Sequence, residues 1–353
     1  MKINILLPNF AMRPSGGHRI AYQYANGLAE KGHQINLIFS SGKQNTFFNR
    51  LLFFAMYITI HFSKKWFKFN TIIKRKYVFN LAENRIPNAD ATIATACVTA
   101  LALEKYAATK GKKFYLIQHY ETWLMPKEIV DETWGYNDMI KIVISKWLWN
   151  IGKALGASNM FYVPNFIDER LFEKKIKKVN RQYDVSMIFS QEKTKGSQYG
   201  ILALELVKKQ FEGFSAVLFG SCPRDKKIPK WIDYVENPNQ EFLANSIYNN
   251  SKIYLCSSIS EGWGLPPMEA MACGAAVVTT RNGGVDDFCI DEETALMCDV
   301  KNTEQMCEKI MQLLTDTILY DRLVEQGLKK IEEFSFSKSL NKLEEILENL
   351  SIV

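Results

Sequence analysis

The sequence predicts an α/β protein of two doubly wound domains, each a parallel sheet covered by helices. Three observations carry this. Short β-branched or apolar runs alternate with helical patterns along the chain. The alternation restarts after a charged, loosely patterned stretch from Asp168 to Tyr183. At 353 residues the chain is long for one hydrophobic core and natural for two.

Taken in order, INILL (3–7) reads as a strand, followed by a loop with Pro14, Gly16 and Gly17. A helix then runs from about His18 to Lys31, with Ile20, Tyr24 and Leu28 as its core stripe and Gly32 as its stop. Further strands are expected at QINLIF (34–39), ATIAT (91–95), KFYLIQ (113–118), IKIVIS (140–145) and MFYVP (160–164). The second half offers strands YDVSMIFS (183–190), SAVLFG (215–220), KIYLCSS (252–258) and AAVVTT (275–280), with a helix at about 197–211. Helices close the chain at 303–315, about 317–333, and SKSLNKLEEILENL. The expected domains are 1–168 and 169–335, with 336–353 as a terminal helix. Ligands of such sheets sit outside the carboxyl ends of the strands, in the cleft between the domains.

Composition fits a soluble globular chain, 47% hydrophobic and 23% charged. No apolar run reaches the ~18 residues of a membrane span. MKINILLPNF has too short an apolar run for a secretory signal and reads as a first strand. Seven scattered cysteines without metal-like spacing suggest reduced, buried thiols in a cytoplasmic protein.

Charge is unevenly spread. Residues 1–170 carry 22 Lys and Arg against 11 Asp and Glu, a net +11, while the remainder is −5. From Lys31 to Ala82 there is no acidic residue, and basic residues interleave with aromatics such as Phe53, Tyr57, Trp66, Phe67 and Phe69. Across 41–79 that mixture suits an anionic membrane surface, with rings at the headgroups. The same pattern also describes an amphipathic helix pair whose apolar side is core. Nucleic acid is disfavoured, because no recognised nucleic-acid module accompanies the patch.

The stretch SEGWGLPPMEAMACG (260–274) holds the only two charged residues between Lys252 and Arg281, Glu261 and Glu269. Glu261 falls in the loop beyond a buried strand. Gly262 and Gly264 permit close backbone approach, and Pro266 and Pro267 suit the start of a helix expected over 267–273. Glu269 is then in its first turn. A helix start offers N–H groups to a phosphate, and a carboxylate beside it can accept ribose hydroxyls. Two carboxylates at different heights fit a ligand with a diphosphate in its middle, a nucleotide-sugar. On spacing alone they equally fit a helix-start carboxylate and a surface loop residue.

The stretch resembles the E-x7-E signature of family-4 glycosyltransferases, retaining enzymes of the GT-B fold. The similarity continues through AAVVTTRNGGVDDF, and PSGGHR and YVPNFID resemble further family segments. The resemblance implies two Rossmann-like domains, with the last helix crossing back onto the first. It places Glu261 near the donor sugar and Glu269 on the nucleotide ribose. Gly16 and Gly17 match the family's glycine loop, and Gly262, Gly264 and Leu265 are counted with the donor-binding residues. Lys195 in KTKG matches the lysine that offsets diphosphate charge. The arginine usual before it is absent at Phe189–Ser190–Gln191, where Lys193 stands in as a second cation without the fork geometry of arginine. His119, after the strand KFYLIQ, resembles a first-domain histidine that contacts the transferred sugar; beside Tyr120 and Trp123 it also reads as a structural residue. Glu121 is a further candidate for acceptor contact.

The implied activity is sugar transfer, with retention, from a nucleoside-diphosphate sugar to a hydroxyl of a glycan or lipid-linked acceptor in cell-surface polysaccharide synthesis. No Asp-x-Asp stands at a strand end, so neither metal nor cofactor is expected. The expected location is cytoplasmic, peripheral on the inner membrane face through 41–79. An epimerase or phosphorylase on the same fold fits the Glu261–Glu269 segment less well. The alternative from another class is a non-catalytic subunit that binds nucleotide-sugar or glycan and supports a partner transferase.

Overall fold

The computed structural model describes residues 1–12, 14–41, 53 and 66–351. The chain divides into two units, one of Met1–Pro164 with Ser337–Val353 and one of Asn165–Phe336. Each is a parallel sheet with helices packed on it, as the alternating sequence pattern requires.

The first sheet contains β1 (Lys2–Leu7), β2 (Gln34–Ser40), β3 (Lys74–Val78), β4 (Ala91–Ala94), β5 (Lys112–Ile117), β6 (Met139–Val143) and β7 (Met160–Tyr162). Their order is β3-β2-β1-β4-β5-β6-β7. Central β1 is buried from Ile3 to Leu7, the continuous apolar run of a strand covered on both faces. Helix α1 (Gly16–Glu30) buries Ile20, Tyr24, Ala25 and Leu28. The helices α2 (Cys97–Leu103), α3 (Lys127–Trp134) and α4 (Lys146–Ala154) follow β4, β5 and β6. Ser145 caps α4 by accepting from the Leu148 N–H at 3.2 Å.

The second sheet contains β8 (Tyr183–Ile188), β9 (Ala216–Gly220), β10 (Asp233–Glu236), β11 (Ser251–Cys256), β12 (Ala276–Thr280) and β13 (Leu296–Cys298). The order is β10-β9-β8-β11-β12-β13. Its main core joins Val185, Leu218, Leu255 and Val278 of the strands to three helices. These are α5 (Ser197–Gln210), α7 (Thr303–Thr315) and α8 (Thr317–Ile331), which contribute Leu204, Ile310 and Leu323 among others. Helix α6 (Leu265–Ala272) packs on β11, β12 and α8. Arg181, buried, donates to the carbonyls of Tyr248, Ser251 and Cys273 at 2.9, 2.6 and 2.7 Å, tying the start of β8 to the end of α6.

The last helix, α9 (Phe336–Ser351), belongs to the first unit from Ser337 onward. Leu340, Leu343 and Leu347 are buried, and Ser339 donates to the Pro164 carbonyl at 2.8 Å. Glu344 accepts from Lys31 Nζ at 2.6 Å and from His33 Nε2 at 3.0 Å. The unit boundary falls at Pro164 and not at 168, because Phe166 packs on Phe336, with tilted rings, and Ile167 bridges Ser335 inside the second unit.

Three strands were not foreseen: β3, β10 and β13, the outermost or shortest members of their sheets. In β3 the basic run Lys74, Arg75, Lys76 lies exposed along a sheet edge, a common use of charge on an edge strand. The alternative of an amphipathic helix pair therefore does not extend over 74–78, which form a strand. Trp66, Phe67 and Phe69 stand 5.5, 5.2 and 4.8 Å from the Tyr22 ring of α1, so these aromatics pack into the first unit. Residues 42–52 and 54–65, with most of the basic-aromatic pattern, lie outside the described residues. Among the described residues no helix is long and apolar enough to cross a membrane. All seven cysteines are free and six are buried.

Candidate functional site

In the second sheet, β8 starts the winding in one direction and β11 starts it in the other. The loops leaving their carboxyl ends therefore meet at the switch point where such sheets bind ligands. Lys195 is in the turn after β8, and Glu261 in the loop after β11. Their side chains form an ion pair, with Lys195 Nζ 2.8 Å from Glu261 Oε1 and 3.0 Å from Oε2. Ser258 Oγ donates to Oε1 at 2.7 Å. Glu261 is buried, at 8% exposure, whereas a quarter of the Lys195 side chain reaches solvent. Burial by itself pulls the Lys195 ammonium down, and the Glu261 carboxylate outweighs it, holding Lys195 above its ordinary value.

The main chain fixes this arrangement from both sides. Ile259 N–H donates to the Thr194 carbonyl at 2.7 Å, and Ser257 Oγ to the Lys195 carbonyl at 3.1 Å. Gly196 is left-handed, with φ 58°, and a Cβ there would sit 2.1 Å from the Ser257 carbonyl oxygen. Across the loop, Glu261 N–H donates to the Asn282 carbonyl at 3.1 Å. A Cβ on Gly284 would lie 2.6 Å from both the Glu261 oxygen and the Trp263 nitrogen. Only glycine fits at either place.

Gly264, with φ 89°, is the N-cap of α6, and Leu265 begins the helix with Pro266 and Pro267 in its first turn. The helix thus starts two residues before the expected 267. Glu269 consequently stands beyond the first turn. Prolines are tolerated there because the first N–H groups of a helix have no partner inside it. Glu269 is 3% exposed and accepts from the Tyr248 phenol at 3.1 Å. Gly262 is buried between Glu261 and Trp263, whose indole packs on Phe288 and Phe334 at 5.6 and 5.3 Å. Lys193 is exposed and forms no ion pair among the described residues; Lys195 alone of the two meets Glu261. Where the arginine is absent, Ser190 N–H donates to Ser197 Oγ at 2.9 Å and Gln191 reaches Asp225 at 3.3 Å.

Residues 168–330, nearly the whole second unit, match the family described as glycosyl transferases group 1. That stretch is therefore similar to glycosyltransferases. Among curated proteins it is similar to the capsular polysaccharide biosynthesis glycosyltransferase CapM of Staphylococcus aureus, 24% identical over 51% of this chain and 50% of that one. The first relatives are matched over a third to a half of their own length. The GT-B fold itself extends over the whole chain. A sucrose-phosphate synthase from Thermosynechococcus elongatus superposes with TM-score 0.78 at 14% identity, covering 99% of this chain and 98% of that one. HepE of Anabaena, solved with UDP-glucose, superposes with TM-score 0.74 at 14% identity, over 99% and 100%.

The first GT-B unit has the same topology, and its switch point lies at β1 and β4. Gly16 and Gly17 open α1 itself; the loop expected to contain them ends at Ser15, an extended N-cap. A Cβ on Gly17 would touch the Gln118 amide at 3.4 Å, so this helix start lies against the end of β5. His119 follows Gln118, with its ring edge-on to Trp123 at 4.3 Å and to Trp147 at 5.5 Å. Trp123 is 56% exposed and Leu124 48%. Glu121 turns inward and accepts from the Cys97 N–H at 2.5 Å, at the start of α2. Burial holds its carboxyl above the usual range, and the Cys97 bonds partly oppose that.

Sequence reasoning missed two members of these clusters. Ser258 is one serine of CSSIS, indistinguishable by pattern from Ser257 and Ser260. Trp147 is far from His119 in sequence, and only the β5–β6 pairing brings it near. A third group, His33, Glu344 and Glu348 in the first unit, is the one set of ligand atoms among the described residues spaced to hold a metal. Lys31 already occupies Glu344.

Proposed function

We propose that the protein is a family-4 retaining glycosyltransferase. It moves a sugar from a nucleoside-diphosphate sugar to a hydroxyl of a glycan or lipid-linked acceptor in cell-surface polysaccharide synthesis. The observation that carries this reading is the Lys195–Glu261 pair at the β8/β11 switch point, inside the stretch that matches glycosyl transferases group 1. A solvent-reachable ammonium beside a buried carboxylate suits a substrate with a negative diphosphate and a sugar carbon that becomes positive. The UDP-glucose in HepE and the polysaccharide role in CapM's name support donor class and pathway.

In this reading Lys195 and the start of α6 offset the charge of the departing diphosphate, with Lys193 as the second cation. Glu261 faces the anomeric carbon as its bond to the diphosphate oxygen breaks. The acceptor oxygen bonds to that carbon on the same face, and its proton leaves with the diphosphate. Glu269 takes the ribose hydroxyls, Gly262, Gly264 and Leu265 give the donor close backbone approach, and Gly16, Gly17 and His119 serve the sugar and acceptor from the first unit. Attachment to an anionic membrane face through 41–79 brings the enzyme to a lipid-linked acceptor.

The test is donor turnover by purified wild type and Glu261→Ala. A loss of at least ~100-fold in kcat with an unchanged melting profile is expected, the size seen when one electrostatic partner of a transition state is removed. Near-normal transfer by the variant contradicts the assignment.

A further inference from the structure

We infer that Ser258 is a positioning residue, which keeps the Glu261 carboxylate in place when Lys195 turns to the diphosphate of the donor. The inference rests on the function proposed above and deepens it at the same site.

The argument begins with the partners of Glu261. Among the described residues its carboxylate is held by two groups, Lys195 Nζ and Ser258 Oγ. They differ in what they are free to do. Lys195 has a long, flexible stem with a quarter of its side chain in solvent, and a diphosphate arriving at the switch point competes for its charge. Ser258 is 1% exposed, one residue from the Ile259–Thr194 backbone bond. Its carbonyl accepts from Thr280 Oγ1 at the end of β12. Its hydroxyl cannot follow a ligand.

Two partners of one carboxylate thus have separate duties. Before donor binding, Lys195 neutralises a buried charge that would otherwise be expensive to keep in the loop. Once the ammonium shifts toward phosphate, that neutralisation weakens while the sugar needs the carboxylate in a fixed place. The bond from Ser258 then supplies both direction and partial compensation, because a hydroxyl donating to the charged form favours that form. Neighbouring polar groups are committed elsewhere. Ser257 Oγ donates to the Lys195 carbonyl, and Asn282 Nδ2 lies 3.3 Å from Thr280 Oγ1. No other described side chain stands in for Ser258.

The experiment compares wild type with Ser258→Ala, Ser258→Cys and Ser258→Thr as full chains. It measures nucleoside diphosphate release from donor and UDP affinity by titration. Ser258→Ala is expected to bind UDP within ~2-fold of wild type and to lose ~10–100-fold in kcat, the range of one hydrogen bond to a charged group. Ser258→Cys, which fills the space with a weak donor, should resemble Ser258→Ala, while Ser258→Thr keeps the hydroxyl and should regain most of the rate.

An unchanged kcat in Ser258→Ala and Ser258→Cys overturns the inference. So does a joint fall of kcat, UDP affinity and melting temperature in both, which marks a purely structural serine. A wild type that releases no nucleoside diphosphate from any donor is a different failure. It overturns the proposed function, and the inference falls with it.

Discussion

The two units share one sheet order about their first strand, yet they build their switch points differently. At β8 and β11 the loops are locked by backbone. Gly196 and Gly284 each lie where a single added carbon would collide with a neighbouring main chain, and the charge held between them is buried. The loops after β1 and β5 of the first unit are more exposed. Two glycines begin a helix after β1, and after β5 a histidine leans on two tryptophans while Trp123 and Leu124 face solvent. One topology therefore carries a rigid charged site and an adaptable aromatic one. The chemistry belongs to the loops and not to the sheets. A nucleoside diphosphate, rigidly charged, calls for the first kind. In the proposed function a varied glycan surface would be served by the second.

The comparison breaks most visibly at Gly284. Gly284→Ala places a methyl 2.6 Å from two backbone atoms, so the Glu261 loop must move. A stability loss of ~2–3 kcal/mol in the second unit and a near-complete loss of nucleotide binding are expected, measured by denaturant melts and titration. An unaltered variant would show that the loop is not locked.

The first unit is held at its C-terminal helix by side-chain charge, and this makes it sensitive to pH. Glu344 loses something to burial, but the bonds from Lys31 and His33 win and hold its carboxyl below the ordinary value. A carboxylate depressed on folding contributes stability that is complete above its unfolded value and is lost as pH falls through the folded one. Glu344→Gln should therefore lower the first unit's stability at pH 7 by ~0.5–1 kcal/mol, allowing for partial solvent screening. The difference from wild type should close in acid, below the folded pKa. A gap that persists there would mean packing rather than charge.

The smallest effect is expected on the open side. Trp123→Ala should raise the acceptor KM by ~3–10-fold through loss of an aromatic face, with donor KM unchanged. A change in donor KM instead would merge two functions that the comparison keeps apart.

Much of this fold was legible because parallel strands buried on both faces leave apolar runs, and ten such runs in INILL, QINLIF, KIYLCSS and their kind alternate with helices. The strands that escaped notice, KRKYV, DYVE and LMC, are at sheet edges or only three residues long, where neither alternation nor burial marks the sequence. Lys195 and Glu261 stood out through strand-end placement and motif. Their pairing did not, since 66 residues separate them and only the β8–β11 neighbourhood unites them. Glu269 shifted out of the first turn because the left-handed Gly264 lets α6 begin at Leu265. Ser258 had no signature at all; a hydroxyl becomes informative only when a carboxylate is 2.7 Å away.

The most direct test of the central claim is a thermal-shift titration of the purified chain with UDP, GDP, dTDP, ADP and CMP, repeated with Glu269→Ala. One nucleoside diphosphate should stabilise the wild type selectively, by ~2.7 kcal/mol at a hundredfold excess over its Kd, and the variant should lose most of that gain. No stabilisation by any of them, or an equal shift in the variant, would contradict a nucleotide site at the β8/β11 switch point.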